Sequence, residues 1–128
     1  LSLVLVGGRG WMPEASEAAI AEGPPGETVR LGFRSDEEVA GWRSKAAVTI
    51  VPSLSEGFGM PALEAMLAAS PLVVARAGAL PEVVGDAART HAPTDDAELA
   101  EAIAATLRRP DEFVEAARSR AERFAWSG

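Results

Sequence analysis

The chain contains no cysteine, which excludes a disulfide framework, thiol chemistry and any thiolate metal site. Histidine occurs once, as His91, so a histidine metal site has little to be built from. Basic charge is scarce too: 12 Lys and Arg stand against 19 Asp and Glu, a formal net charge of −7. Nucleic acids and anionic membranes are met by basic faces, and this balance argues against both. Arginines gather late, at Arg108, Arg109, Arg118, Arg120 and Arg123, but acidic residues interleave with them and they read as solvated helix surface. No apolar run is long enough to span a bilayer. Residues 1–6 are apolar, with no basic residue ahead of them and no usual cleavage site behind. These absences point to a soluble protein in a reducing compartment.

What is present suits one domain over residues 1–128, with 48% hydrophobic content and no linker, repeat or low-complexity tract. Apolar runs alternate with helical patterns. Residues 1–6 read as a strand buried on both faces, stopped by Gly7-Gly8. Residues 14–22 suit a helix after Pro13, Pro24-Pro25-Gly26 a turn, and residues 29–33 a brief strand. Ser35 and Glu38 form a capping box, ahead of a helix with Val39, Trp42 and Ala46 on one face. Residues 47–51 make a strand, 59–69 a helix and 72–75 a further strand. Pro81 opens a short helix with Glu82, and residues 89–92 form a weak last strand. A helix from residues 94–96 carries Leu99, Ile103 and Leu107 and stops at Pro110. Asp111 caps a final helix with Phe113, Ala117, Ala121 and Phe124. Such alternation predicts a Rossmann-like α/β fold, a parallel sheet with helices on both faces. Ligands of these folds sit outside the carboxyl ends of the strands, which selects the loops at residues 7–12, 33–35 and 52–59.

The third loop carries the chemistry. Gly57 and Gly59 permit close approach of backbone to a ligand, and Pro61 suits the first position of a helix. The free amides at that helix start favour an anion, most naturally a phosphate. Glu64 is the only charged residue of an otherwise apolar helix, so a partner for its carboxylate is expected. That partner is either a nearby backbone amide or arginine, or the hydroxyl pair of a sugar. Glu56, eight positions earlier, lies in the loop and does not share a helix face with Glu64.

Residues 56–66, Glu-Gly-Phe-Gly-Met-Pro-Ala-Leu-Glu-Ala-Met, resemble throughout the signature of the group 1 retaining glycosyltransferases of two-domain GT-B architecture. The likeness continues through Val51-Pro52-Ser53 before it and residues 70–75 and 80–88 after it, and upstream through residues 29–38. It implies the donor-binding half of an enzyme that moves a sugar from a UDP-, GDP- or ADP-linked donor to an acceptor, with retention and without a bound metal or other cofactor. Glu56 would hold the donor sugar and is the candidate catalytic group. Gly57, Phe58, Gly59 and Met60 would meet sugar and diphosphate, Glu64 the ribose hydroxyls, and Phe33 and Arg34 the base. In the family an earlier strand and helix supply an Arg and a Lys for the diphosphate. That strand is central to the order 3-2-1-4-5-6. Residues 1–128 are expected to lack that strand and helix, and Arg9 is the candidate substitute. The expected consequence is that residues 1–6 pair directly with residues 47–51, or leave a gap for another chain to fill. An exposed strand edge would then favour self-association. The N-terminal acceptor-binding domain is the implied partner, and a cytoplasmic site, through that domain at the inner membrane surface, is the implied location. Without it the isolated chain is expected to be inactive.

Two other classes compete. A non-catalytic nucleotide-sugar-binding or assembly module fits a chain without an acceptor domain. A dinucleotide-binding oxidoreductase domain would use Gly8-Arg9-Gly10, but Pro13 breaks that fingerprint and Phe33-Arg34 replaces the expected acid. Elsewhere, His91 reads as surface or core edge, Trp42 as a buried helix face, Trp11 as packing and Trp126 as a docking segment.

Overall fold

A computed structural model describes residues 3–6, 28–32, 34–52 and 60–125. In chain order the elements are β1 (Leu3–Val6), β2 (Thr28–Gly32), α1 (Asp36–Lys45), β3 (Thr49–Val51), α2 (Met60–Leu67), β4 (Leu72–Ala75), α3 (Leu80–Val84), β5 (Arg89–His91), α4 (Asp96–Arg108) and α5 (Val114–Ala125). All pairings are parallel, as the alternation predicts. The helix expected at residues 14–22, the turn at 24–26, Trp11 and Trp126 lie outside the described residues.

The chain divides into two compact units, Leu1–Val39 and Ala40–Gly128. In the first, β1 pairs with β2 from Leu3↔Thr28 to Val6↔Gly32, with a register irregularity between Leu5 and Val6. Neither strand is buried: Leu3 is 46% exposed, and Val6 and Val29 are exposed as well. This corrects the expectation that residues 1–6 are covered on both faces, because an apolar run specifies a strand without specifying what lies over it. Direct pairing with residues 47–51, one of the two outcomes expected of residues 1–6, is not seen among the described residues. Among the described residues the hydrogen-bonded neighbour of β1 is β2, and that of β3 is β4.

The second unit is a three-stranded sheet in the order β3-β4-β5. Its central strand, β4, is buried at all four positions, as expected of an unbroken apolar run with helices over it. The core combines β4 with Ala62, Leu63, Ala65 and Met66 of α2, Leu80, Val83 and Val84 of α3, and Ala117 and Ala121 of α5. Helix α5 lies against α2, and α4 against β4 and β5. The expected stripe Leu99, Ile103 and Leu107 is only half-buried; Ala102 and Thr106 are the covered residues of α4, with Thr106 Oγ1 donating to the Ala102 carbonyl at 2.8 Å.

Local chemistry sets the helix ends. Ser35 and Glu38 do form the capping box: the Glu38 amide donates to Ser35 Oγ at 3.2 Å, and the Ser35 amide to Glu38 Oε1 at 3.5 Å. Asp95 caps α4 by accepting from the Glu98 amide at 2.9 Å. Asp111, expected as the cap of the last helix, instead sits in a turn, and α5 starts at Val114. Helix α2 ends in a Schellman motif, with the Ser70 amide bonded to the Ala65 carbonyl and the Ala69 amide to that of Met66. The left-handed residue of that motif is Ala69, at φ 57°, where glycine is usual. Helix α3 ends at Gly85, φ 55°, and a Cβ there would stand 2.9 Å from Cζ of Arg120. Arg120 uses that space to donate to the carbonyls of Val83 and Glu82. Arg120 is thus no part of a merely solvated arginine face. The four others of that late group, Arg108, Arg109, Arg118 and Arg123, are exposed as expected.

Two single-residue expectations are reversed. Trp42 is 45% exposed, and α1 has no buried residue, since only Val39, Ala40 and Trp42 among its ten residues are apolar. His91 is 1% exposed, opposite Ala75 on the buried β4. Its Nδ1 lies 2.9 Å from the Ala92 carbonyl, while Nε2 has no hydrogen-bond partner among the described residues.

Candidate functional site

Strand β3 ends at Val51 and α2 begins at Met60, so the glycine-bearing turn runs from a strand's carboxyl end into a helix start, as the sequence predicts. Glu56, Gly57, Phe58 and Gly59 lie outside the described residues, as do Arg9 and Phe33. Met60 is the first residue of α2 and Pro61 the second, where its missing N–H costs no hydrogen bond. Helix α2 carries no acidic side chain in its first turn and no basic one in its last. Its first turn therefore adds no negative side chain to oppose an anion at the amino end.

Glu64 lies one turn into α2, flanked by the buried Leu63 and Ala65. Its side chain is 43% exposed, so the carboxylate stands at the edge of the core. The partner that an apolar helix demands is Arg43 of α1, whose Nη1 donates to Glu64 Oε2. The arginine is itself only 16% exposed. Of the partners expected for Glu64, an arginine is therefore present. Nothing in the sequence singled out Arg43, because the two residues are 21 positions apart and meet only through tertiary packing. Arg34, expected beside a base, pairs with Glu38 at 3.5 Å at the start of α1.

A polar cluster that sequence reasoning passed over lies at the carboxyl ends of β4 and β5. Arg76, directly after β4, donates to Thr90 Oγ1 at 3.1 Å and pairs with Glu98 Oε1 at 2.6 Å. Glu98 Oε2 accepts from the Ala92 amide at 3.1 Å. The hydrogen bond from Arg76 holds the Glu98 carboxyl below the usual glutamate range, with the Ala92 amide adding to the effect. The position of Arg76, one residue past an apolar strand, was the available signal. At the opposite end of β4, a small cavity of about 10 Å³ is lined by Pro71, Leu72, Thr106, Pro110 and Phe113. It lies at the strand's amino end, away from the turn into α2.

The family described as glycosyl transferases, group 1, matches residues 1–109. The chain belongs to the group 1 glycosyltransferases. The MMP alpha-(1->4)-mannosyltransferase of Mycolicibacterium hassiacum is 48% identical over 82 residues, which cover 62% of this chain and 20% of that protein. Among solved structures, sucrose-phosphate synthase from Thermosynechococcus elongatus matches with a TM-score of 0.82 and 28% identity, over 95% of this chain and 34% of the other. HepE of Anabaena, in complex with UDP, matches with a TM-score of 0.78 and 25% identity, over 98% and 36%. The chain thus spans between a fifth and about a third of the length of these relatives. Its fold is that of the C-terminal type of GT-B domain, Rossmann-like with parallel strands and flanking helices. No helix among the described residues is long and apolar enough to cross a membrane.

Proposed function

We propose that residues 1–128 form the donor-binding half of a retaining glycosyltransferase, which transfers a sugar from a nucleoside-diphosphate sugar with no resident metal. The observation that carries this reading is a family match running through the segment between β3 and α2, with Glu64 half-exposed one turn into the helix that follows. In this reading Glu64 accepts from ribose hydroxyls, the amides of residues 57–60 receive the diphosphate, and Glu56 holds the donor sugar. Phe33 and Arg34 lie against the base, and Arg9 reaches toward the diphosphate. Catalysis is then positioning together with stabilisation of the departing diphosphate. The acceptor comes from a further domain of the enzyme, and strand edges without a partner among the described residues offer a second copy a place to pair. The complex of HepE with UDP supports the ligand class.

Calorimetry with UDP-, GDP- and ADP-sugars tests the reading. One of them binds the wild-type chain, and Glu64→Ala binds it roughly tenfold or more weakly, the loss of a charged hydrogen-bond acceptor. Absence of binding by both the chain and the enzyme carrying its acceptor domain sinks the donor-site assignment. Binding without transfer in that enzyme leaves a nucleotide-sugar-binding module instead.

A further inference from the structure

Arg43 stands apart from the rest of its helix. Every residue of α1 is exposed or half-covered, yet this side chain is withdrawn from solvent and directed at Glu64. Ion pairs with an exposed partner stabilise a fold only slightly, so holding α1 in place is a weak return for a largely desolvated guanidinium. The geometry serves the carboxylate better. Arg43 engages Oε2, and among the described residues Oε1 has no donor. A glutamate has three side-chain torsions, and its last one is soft. Fixing one oxygen sets the plane of the group and leaves the other aimed, which is what recognition of two adjacent hydroxyls requires. A guanidinium, planar and permanently charged, is suited to impose that plane, whereas an ammonium is a point charge on a flexible stem.

We infer that Arg43 is a positioning residue: it orients the Glu64 carboxylate so that Oε1 meets the vicinal ribose hydroxyls of a nucleoside diphosphate. This rests on the donor-site reading above, and the test separates the two. The full chain is titrated by calorimetry with UDP, GDP and ADP, and with the 2′,3′-dideoxy form of whichever binds. Arg43→Met weakens the ribonucleotide roughly five- to tenfold, the partial loss of one charge-assisted hydrogen bond, and leaves the dideoxy form unchanged. Arg43→Lys recovers part of that loss. In a Glu64→Ala background, Arg43→Met has no further effect, because the two residues act as one unit. Urea midpoints of all variants are measured alongside, and Arg43→Lys serves as the readout where Arg43→Met does not fold. Equal weakening of the ribo and dideoxy forms, or no change in either, overturns the inference while Glu64→Ala still upholds the donor site. Failure of the wild type to bind any of the three nucleotides overturns both.

Discussion

β1 and β4 are nearly the same strand on paper, Leu-Val-Leu-Val against Leu-Val-Val-Ala, and the protein treats them oppositely. All four residues of β4 are buried, with a sheet neighbour on each side and helices packed on it. Among the described residues β1 has one bonded neighbour, and both its end residues are exposed. The polar ties of the two units differ in the same way. Those of the N-terminal unit include the Ser35–Glu38 box and the Arg34–Glu38 pair, which reach three or four positions along the chain. Those of the C-terminal unit include similar short ties but also ones that join distant segments: Arg43 to Glu64, Arg89 to Glu112, and Arg120 to the end of α3. Short apolar runs therefore mark where strands form, and long-range contacts decide which of them carry the stability.

The largest test of this contrast is truncation of matched apolar side chains. Leu80→Ala, at a fully buried site of α3, destabilises the protein by about 2–5 kcal/mol through lost burial and the cavity left behind. Leu3→Ala, half-exposed on β1, costs less than about 1 kcal/mol. Urea midpoints compare them, and equal losses would erase the distinction. A smaller effect probes two of the positive-φ positions of the C-terminal unit, Ala69 and Gly85. Ala69→Gly relieves backbone strain and stabilises by about 1 kcal/mol, whereas Gly85→Ala destabilises by about 1–2 kcal/mol. The second loss shrinks in an Arg120→Ala background, because the new Cβ then displaces nothing. A result of the same sign for both substitutions contradicts the assigned geometry.

The smallest effect is one of pH. The Glu98 carboxyl titrates lower in the folded protein than in the unfolded chain, because Arg76 and the Ala92 amide favour its charged form. Its contribution is therefore complete above the unfolded glutamate value and is lost as pH falls through the folded one. The stability advantage of wild type over Glu98→Gln should shrink as pH falls from about 5 through the lowered folded value. A gap independent of pH would mean that Glu98 is held for its shape alone.

Much of this was legible in the residues. The parallel order, the Ser35 cap, the start of α4 and the turn into α2 follow from short-range rules of periodicity, capping and breaking. The family was legible at residues 56–66. What escaped depends on distant neighbours. His91 looked peripheral because a three-residue strand gives no burial signal, yet it lies opposite the central strand. Trp42 looked buried because aromatic residues on helices commonly are, but too little of α1 is apolar to form a covered face. Arg43 and Arg120 act on residues 21 and 37 positions away, and no local pattern announces such pairs.

Helix α5 also bears on where the folding unit ends. The family match stops at residue 109, before this helix begins. Yet Ala117 and Ala121 belong to the core, and the guanidinium of Arg120 closes the end of α3. A gene fragment cut at the limit of that match would keep every signature residue and lose the wall behind α2. The family match and the folded core thus have different borders in this protein, and the second lies at least one helix further on.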